Sequence, residues 1–355
     1  MSDKLLDFVK LAPGPANLIS DLDGIFVGNA EDTAAITGVS VVVPEAPCVA
    51  GCSVPGGGPG TRETDALQPA NLVDRVDAIC LSGGSVYGLD AASAVTAKLG
   101  AEGRGFAMGT APVASPIVPA AILFDIGNGG TKDWGDTPPY HRLGKQAFDA
   151  RATAFALGNS GAGFGAQAGQ LKGGLGSAST MLDADVCVGA LLAVNPVGAV
   201  CDAHGTFWVQ HLALDHKGAP EFGRADTQAP QAGASHPLAA SKLSGLTAGA
   251  NTTIGVVAVA ADLTPAECQR VAIMAQDGLA RAIRPVHTPF DGDTIFVLAT
   301  GSKPLARAAE MRPLALTVLG ALAADCVARA IARAVWFADD TGFAPAYRSR
   351  FPKAE

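Results

Sequence analysis

The sequence predicts an α/β protein built in four layers, helices, sheet, sheet and helices. Three observations lead there. Several short apolar runs are rich in β-branched residues and end at Gly or Pro, as strands do. These runs are continuously apolar, so both faces of each sheet are covered. Strand-like and helix-like segments alternate along the whole chain, the pattern of a layered α/β arrangement.

Residues 37–43, TGVSVVV, read as a buried strand stopped by Pro44. A Gly/Pro loop, VPGGGPGTRETD, occupies 54–65, and a short apolar strand is expected at 78–82. That strand runs through a glycine turn into an Ala-rich helix ending near Leu99. PIVPAAILFD (116–125) is a third apolar segment. Residues 158–180 are glycine-dense, and 181–195 are apolar. Residues 214–250 mix Gly, Ala, Pro and polar residues without periodicity and are expected to be a long exposed or flexible loop. NTTIGVVAVA (251–260) follows as a buried strand. Thr264, Pro265 and Glu267 then form a helix start, with N-cap, proline at the first position and a closed capping box. This helix should reach about Ile283. DTIFVLAT (293–300) is another strand, and 314–337 a long helix able to cover a sheet.

Composition bounds the function. The chain has 355 residues, read as one domain, with 48% apolar and 16% charged residues, against about 25% charged in a typical globular protein. Mean hydropathy is +0.27. Such a chain is not intrinsically disordered. A net charge of −8 without a Lys/Arg cluster excludes nucleic-acid binding. The scarcity of charge implies surface buried between subunits. No membrane span is expected: the apolar stretch from Val186 to Val200 contains Asn195 and Pro196 and is shorter than the roughly 20 residues a span needs. The C-terminal apolar stretch carries Asp325, Arg329 and Arg333 at helical spacing. The N-terminus lacks the features of a signal peptide. Seven scattered cysteines suit a reducing cytoplasm, and Cys48 with Cys52 lacks the partners of a zinc site.

The usual catalytic patterns are missing. There is no G-x-S-x-G elbow, and none of the six histidines (141, 204, 211, 216, 236 and 287) has a Ser or Cys motif beside it. The loops GGGPGT (56–61) and SGGSVYG (82–88) lack P-loop or dinucleotide spacing and read as tight turns, although the second precedes a helix and could hold an anion. Arg62 could hold a carboxylate or a backbone carbonyl. The junction Asn251-Thr252 carries more. A loop runs directly into a buried strand whose first residue is a hydroxyl nucleophile. If the 251–252 bond breaks, Thr252 gains an α-amine of reference pKa about 7.7–8, able to act as base for its own hydroxyl.

Six segments in collinear order, GGPGTRETD (57–65), LSGGSVYGLDAA (81–92), PIVPAAILFD (116–125), KGGLGSAS (172–179), ANTTIGVVA (250–258) and RPVHTPFDGDTIF (284–296), resemble the DmpA/NylC family of self-processing aminopeptidases and amidases. That family includes β-aminopeptidases and nylon-oligomer hydrolases. The resemblance implies an αββα sandwich like that of N-terminal nucleophile hydrolases, with its own connectivity. It implies cleavage between Asn251 and Thr252, giving an α chain (1–251) and a β chain (252–355) that stay together. Asp291 and Asp293 match two acids that bond the nucleophile's amine and hydroxyl, though D-G-D alone reads as a turn. Asn195 matches an oxyanion-site amide, and Lys172 a lysine close to the nucleophile. Expected substrates are short peptides, amino-acid amides or esters, β-peptides or ω-amino-acid oligomers. No metal or cofactor is implied, and tetramers of αβ units are. The sequence departs from the family at Asn29, where a histidine is usual, and at Phe124, where some amidases have Tyr. Two rival readings share the scaffold: an acyltransferase of the ornithine acetyltransferase type, and an unprocessed ligand-binding protein.

Overall fold

The structure is a computed structural model that describes residues 11–182, 186–223, 238–245, 251–305 and 309–352. Its strands are β1 (Ile25–Asp32), β2 (Thr37–Pro44), β3 (Cys48–Ser53), β4 (Thr61–Arg62), β5 (Arg75–Val76), β6 (Ile79–Ser82), β7 (Ala120–Ile122), β8 (Gln167–Ala168), β9 (Leu171–Lys172), β10 (Gly174–Leu182), β11 (Val186–Asn195), β12 (Asp215–His216), β13 (Ala219–Pro220), β14 (Thr252–Ala261) and β15 (Thr294–Lys303). The helices are α1 (Asp90–Ala101), α2 (Tyr140–Asp149), α3 (Pro265–Ala282), α4 (Arg312–Trp336) and α5 (Tyr347–Arg350).

Two main sheets face one another. The first has the order β1-β2-β6-β7-β4, the second β10-β11-β14-β15-β3-β5. Each holds one parallel pair, β6 with β7 and β14 with β15. A parallel pair needs a long crossover, supplied by α1 in the first sheet and α3 in the second. Helices α1 and α2 cover the outer face of the first sheet, and α3 and α4 that of the second. The four-layer expectation is met.

Strand β14 shows why the buried strands read as unbroken apolar runs. Ile254, Val256 and Ala258 point between the sheets, while Val257 and Val259 point toward α3 and α4. Alternation persists, but both sides are core. The glycine-dense segment has a similar cause. A Cβ at Gly176 of β10 would lie 2.0 Å from the carbonyl oxygen of Ala330, so only glycine lets α4 lie against this strand. Helix α4 is long and apolar enough to cross a membrane by length and composition, yet most of it is packed inside the protein.

Helix α3 begins as expected, with Thr264 Oγ1 accepting from Glu267 N and the Glu267 carboxylate accepting from Thr264 N. Helix α2 was not expected, although Tyr140, Leu143, Gly144, Ala147 and Phe148 form a buried stripe at helical spacing. Of the supposed loop 214–250, residues 224–237 and 246–250 lie outside the described residues. Its beginning is exposed at Asp215, Lys217, Gly218 and Ala219 and turns inward only at Glu221, Phe222 and Gly223. Glu221 is buried and forms a bidentate pair with Arg329 of α4, at 2.5 and 2.9 Å. Asn17 donates to the same carboxylate at 2.6 Å. Burial pushes the Glu221 carboxyl up, but the Arg329 guanidinium outweighs it and holds the group below its ordinary value.

Candidate active site

Parallel pairing of β14 and β15 brings the starts of both strands to one end of the second sheet. Antiparallel β11 ends there too. Three strand ends therefore meet: Thr252 opening β14, the Pro289–Asp293 turn before β15, and Asn195 closing β11. Asn195 is the register partner of Thr252.

The chain preceding Thr252 is bonded to the turn. Asn251 N donates to Phe290 O at 2.9 Å, and Gly292 N donates back to Asn251 O at 2.9 Å. This pair is a parallel bridge that extends the β14–β15 ladder past the strand start. The Thr252 hydroxyl donates to the same Asn251 carbonyl oxygen and accepts from Gly292 N at 3.2 Å. Thr252 is only 3% exposed. Its hydroxyl thus lies against the peptide unit that cleavage would break, and one backbone N–H reaches both oxygens. A Cβ at position 292 would come 2.8 Å from Thr252 Oγ1, so glycine is what lets the turn close over the hydroxyl.

The two acids of the turn are fully buried. Asp291 Oδ1 accepts from Val197 N, and Oδ2 from the backbone and hydroxyl of Thr288, at 3.0 and 2.6 Å. Asp293 Oδ1 accepts from Thr253 N at 2.7 Å, and Oδ2 from His287 N at 3.1 Å, with His287 Nδ1 at 2.8 Å. Burial first, and then the charge of Asp293, push the Asp291 carboxyl above its ordinary range. In the uncut chain neither acid bonds Thr252 itself; Asp293 holds its neighbour Thr253. The D-G-D segment is a turn and part of the site at once.

Asn195 is buried. Its Nδ2 donates to Phe124 O at 3.0 Å, and its Oδ1 accepts from Gln167 N at 2.9 Å. Lys242 Nζ reaches the same Oδ1 at 3.1 Å, the Asn195 carbonyl at 3.2 Å and Asn251 Oδ1 at 2.6 Å. Lys172 lies on β9, opposite Gln167 on β8. Its ammonium donates to Gly163 O at 3.0 Å and Gly173 O at 2.7 Å rather than to Thr252. Burial pushes both lysines down to about 7. Asp125 beside Lys172, and Asp291 beside Lys242, oppose that fall.

Sequence reasoning missed Lys242 and His287. In the sequence His287 is one of six histidines without a Ser or Cys motif beside it. The segment preceding a proposed cut was a place to look for Lys242, whereas no local pattern marked His287. The glycine loops pack as expected. Gly56, Gly57 and Gly58 donate to the carbonyls of Asp293, Thr288 and Asp291, bracing the turn. The Gly84 N–H holds an anion from the protein itself, the Asp125 carboxylate at 2.8 Å. Burial pushes that carboxyl up to about 6. Among the described residues Arg62 meets neither a carboxylate nor a carbonyl; it donates to the Ser93 hydroxyl of α1 at 2.7 Å.

The comparisons with known proteins identify a class of hydrolase. The profile of Peptidase family S58 matches residues 17–346. The chain belongs to that family. It is 44% identical over 354 residues to an uncharacterized aminopeptidase of Mycobacterium tuberculosis, covering 95% of this chain and 99% of that one. It is 29% identical over 299 residues to the 6-aminohexanoate-oligomer endohydrolase of a Kocuria species, covering 81% and 76%. Among solved structures, a Burkholderia β-aminopeptidase superposes with a TM-score of 0.67 at 23% identity, over 96% of this chain and 92% of that one. The L-aminopeptidase D-Ala-esterase/amidase of Ochrobactrum anthropi, described as a variant of the Ntn hydrolase fold, gives 0.64 at 20%, over 94% and 91%. These two likenesses show the shared fold.

Proposed function

We propose that this chain is a self-processing N-terminal-threonine hydrolase. Its substrates are amides of short peptides, amino-acid amides or esters, β-peptides or ω-amino-acid oligomers. The observation that carries the reading is the Thr252 hydroxyl on the Asn251 carbonyl, with the Gly292 N–H on the same oxygen. Family membership and the aminopeptidase and oligomer-hydrolase names of the relatives support it.

In maturation, Thr252 Oγ1 adds to the Asn251 carbonyl carbon. Charge develops on the carbonyl oxygen, where the Gly292 N–H already points. The C–N bond breaks as the Thr252 nitrogen takes the proton, leaving an ester. Water hydrolyses the ester, releasing the Asn251 carboxylate and a Thr252 with free amine and hydroxyl.

In turnover, the α-amine takes the hydroxyl proton as Oγ1 attacks the substrate carbonyl. The Asn195 amide and a backbone N–H stabilise the oxyanion. The ammonium protonates the leaving amine, and water, activated by the same amine, frees the acid. Asp291 and Asp293 orient the new N-terminus, the role expected of them, and their charge favours its ammonium form. Lys172, paired with Gln167, whose N–H donates to Asn195 Oδ1, lowers the pKa of the new α-amine by its charge. The two chains remain associated, because β14 stays paired between β11 and β15. Tetramers of αβ units and a cytoplasmic location complete the reading.

The test is hydrolysis of a panel of amino-acid amides, p-nitroanilides, β-dipeptides and aminohexanoate oligomers by wild type and by Thr252→Ala. Amine release by wild type and none by the variant is the expected result. Equal release by both, or release only when an acceptor amine such as ornithine is present, overturns it.

A further inference from the structure

We propose that Lys242 is a positioning residue for maturation, gripping the residue before the cut so that its carbonyl stays under the Thr252 hydroxyl. The inference rests on the reading of Thr252 as a self-releasing nucleophile.

Lys242 opens a short helical turn, Lys242–Gly245, nine residues upstream of Asn251. Its own N–H is bonded to Val197 O at 3.0 Å, just past the end of β11. The ammonium has three N–H donors and three oxygens within reach: Asn251 Oδ1 at 2.6 Å, Asn195 Oδ1 at 3.1 Å and Asn195 O at 3.2 Å. Asn251 precedes the bond to be broken. Asn195 is paired with Thr252 across the strands. One cation therefore ties the residue before the cut to the strand facing the residue after it.

Among the described residues, the backbone of Asn251 is bonded from the β15 side, by Phe290 O and Gly292 N. Lys242 supplies the grip from the β11 side. Two-sided anchoring keeps the carbonyl from turning away from both the hydroxyl and the Gly292 N–H, and the rate of an intramolecular attack depends steeply on such alignment. The arrangement also explains why a lysine is held in a half-buried place where burial disfavours its charge.

The experiment follows conversion of full-length chain into two fragments during cell-free synthesis, read by denaturing mass spectrometry. The chains are wild type, Lys242→Met, Asn251→Ala, the double variant and Thr252→Ala. A hydrogen bond to a charged group is worth enough to slow conversion about tenfold or more when lost. Each single variant should show that loss, and the double variant should be no slower than the slower single, because both remove one contact. Conversion of Lys242→Met at the wild-type rate, or losses that multiply in the double variant, overturns the proposal. If Lys242→Met does not fold, Asn251→Ala decides alone, and wild-type conversion there overturns it. Thr252→Ala separates this from the parent reading: if that chain is also cut, or wild type never is, the nucleophile assignment has failed instead.

Discussion

Asn195 and Thr252 stand directly opposite one another in the antiparallel pairing of β11 and β14, the first closing its strand and the second opening its own. That register places a side-chain amide and a hydroxyl at one sheet end, where the β15 turn completes the enclosure. No long-range coincidence is needed. An antiparallel neighbour and a parallel neighbour of one strand necessarily bring an end and a start to the same place.

Thr252 is the only nucleophile in this account. Thr252→Ala is expected to remain a single chain of 35.6 kDa, with hydrolysis abolished, whereas Thr252→Ser keeps a hydroxyl and should still be cut. Gel mobility of the two variants after prolonged incubation checks this. A cut Ala variant contradicts it.

His287 bonds Asp293, and Asp293 holds the Thr253 N–H next to the nucleophile. His287→Ala should lower kcat about tenfold, the worth of one hydrogen bond to a charged partner. Steady-state kinetics on the best substrate of the panel measures it, and an unchanged kcat would detach His287 from the site.

The stability of the uncut chain should depend on pH through its lysines. Lys172 and Lys242 are held down to about 7 by burial, whereas an unfolded lysine keeps its proton to about pH 10.4. Between these values the unfolded chain binds more protons, so stability rises with pH, the full penalty being present below pH 7. Asp125, pushed up to about 6, acts with the opposite sign but at lower pH. The buried cysteines oppose the rise only above about pH 8.5. The melting temperature of Thr252→Ala should therefore climb from pH 7 to about 8.5, and adding Lys172→Met should flatten the climb. A level or falling Thr252→Ala profile in that range contradicts the assignment.

The Glu221–Arg329 pair joins the two sides of the proposed cut inside the core. Removing one partner of a buried pair costs about 3–5 kcal/mol. Glu221→Ala should show that loss in denaturant unfolding, while Glu221→Met with Arg329→Met should recover part of it. Unchanged stability in the single variant would mean that the pair does not hold the chains together.

The scarcity of charge in the sequence predicts an oligomer, and the family resemblance implies that it is a tetramer. Light scattering should give a particle of four αβ units, well above 35.6 kDa. A stable particle at the mass of one chain contradicts it.

Much of the framework was legible where chemistry is local. The capping box of α3 is written within four consecutive positions, by Thr264, Pro265 and Glu267, and β14 in ten apolar or small residues. Helix α2 was hidden by its polar residues, although its buried stripe follows helical spacing. The members of the site carried by the resemblance were Thr252, Asn195, Asp291, Asp293 and Lys172. Lys242 and His287 were not legible, since each is recruited by a tertiary bond, from a loop and from a turn. Lys172 illustrates the converse: the resemblance marked it as close to the nucleophile, yet its ammonium is spent on the carbonyls of Gly163 and Gly173.

The most direct test is the intact mass of freshly purified protein under denaturing conditions. The account predicts two species, residues 1–251 and 252–355, with the second beginning Thr-Thr-Ile-Gly. A single undivided chain of 35.6 kDa that persists through long incubation would contradict it, because Thr252 would then have no amine with which to activate its hydroxyl.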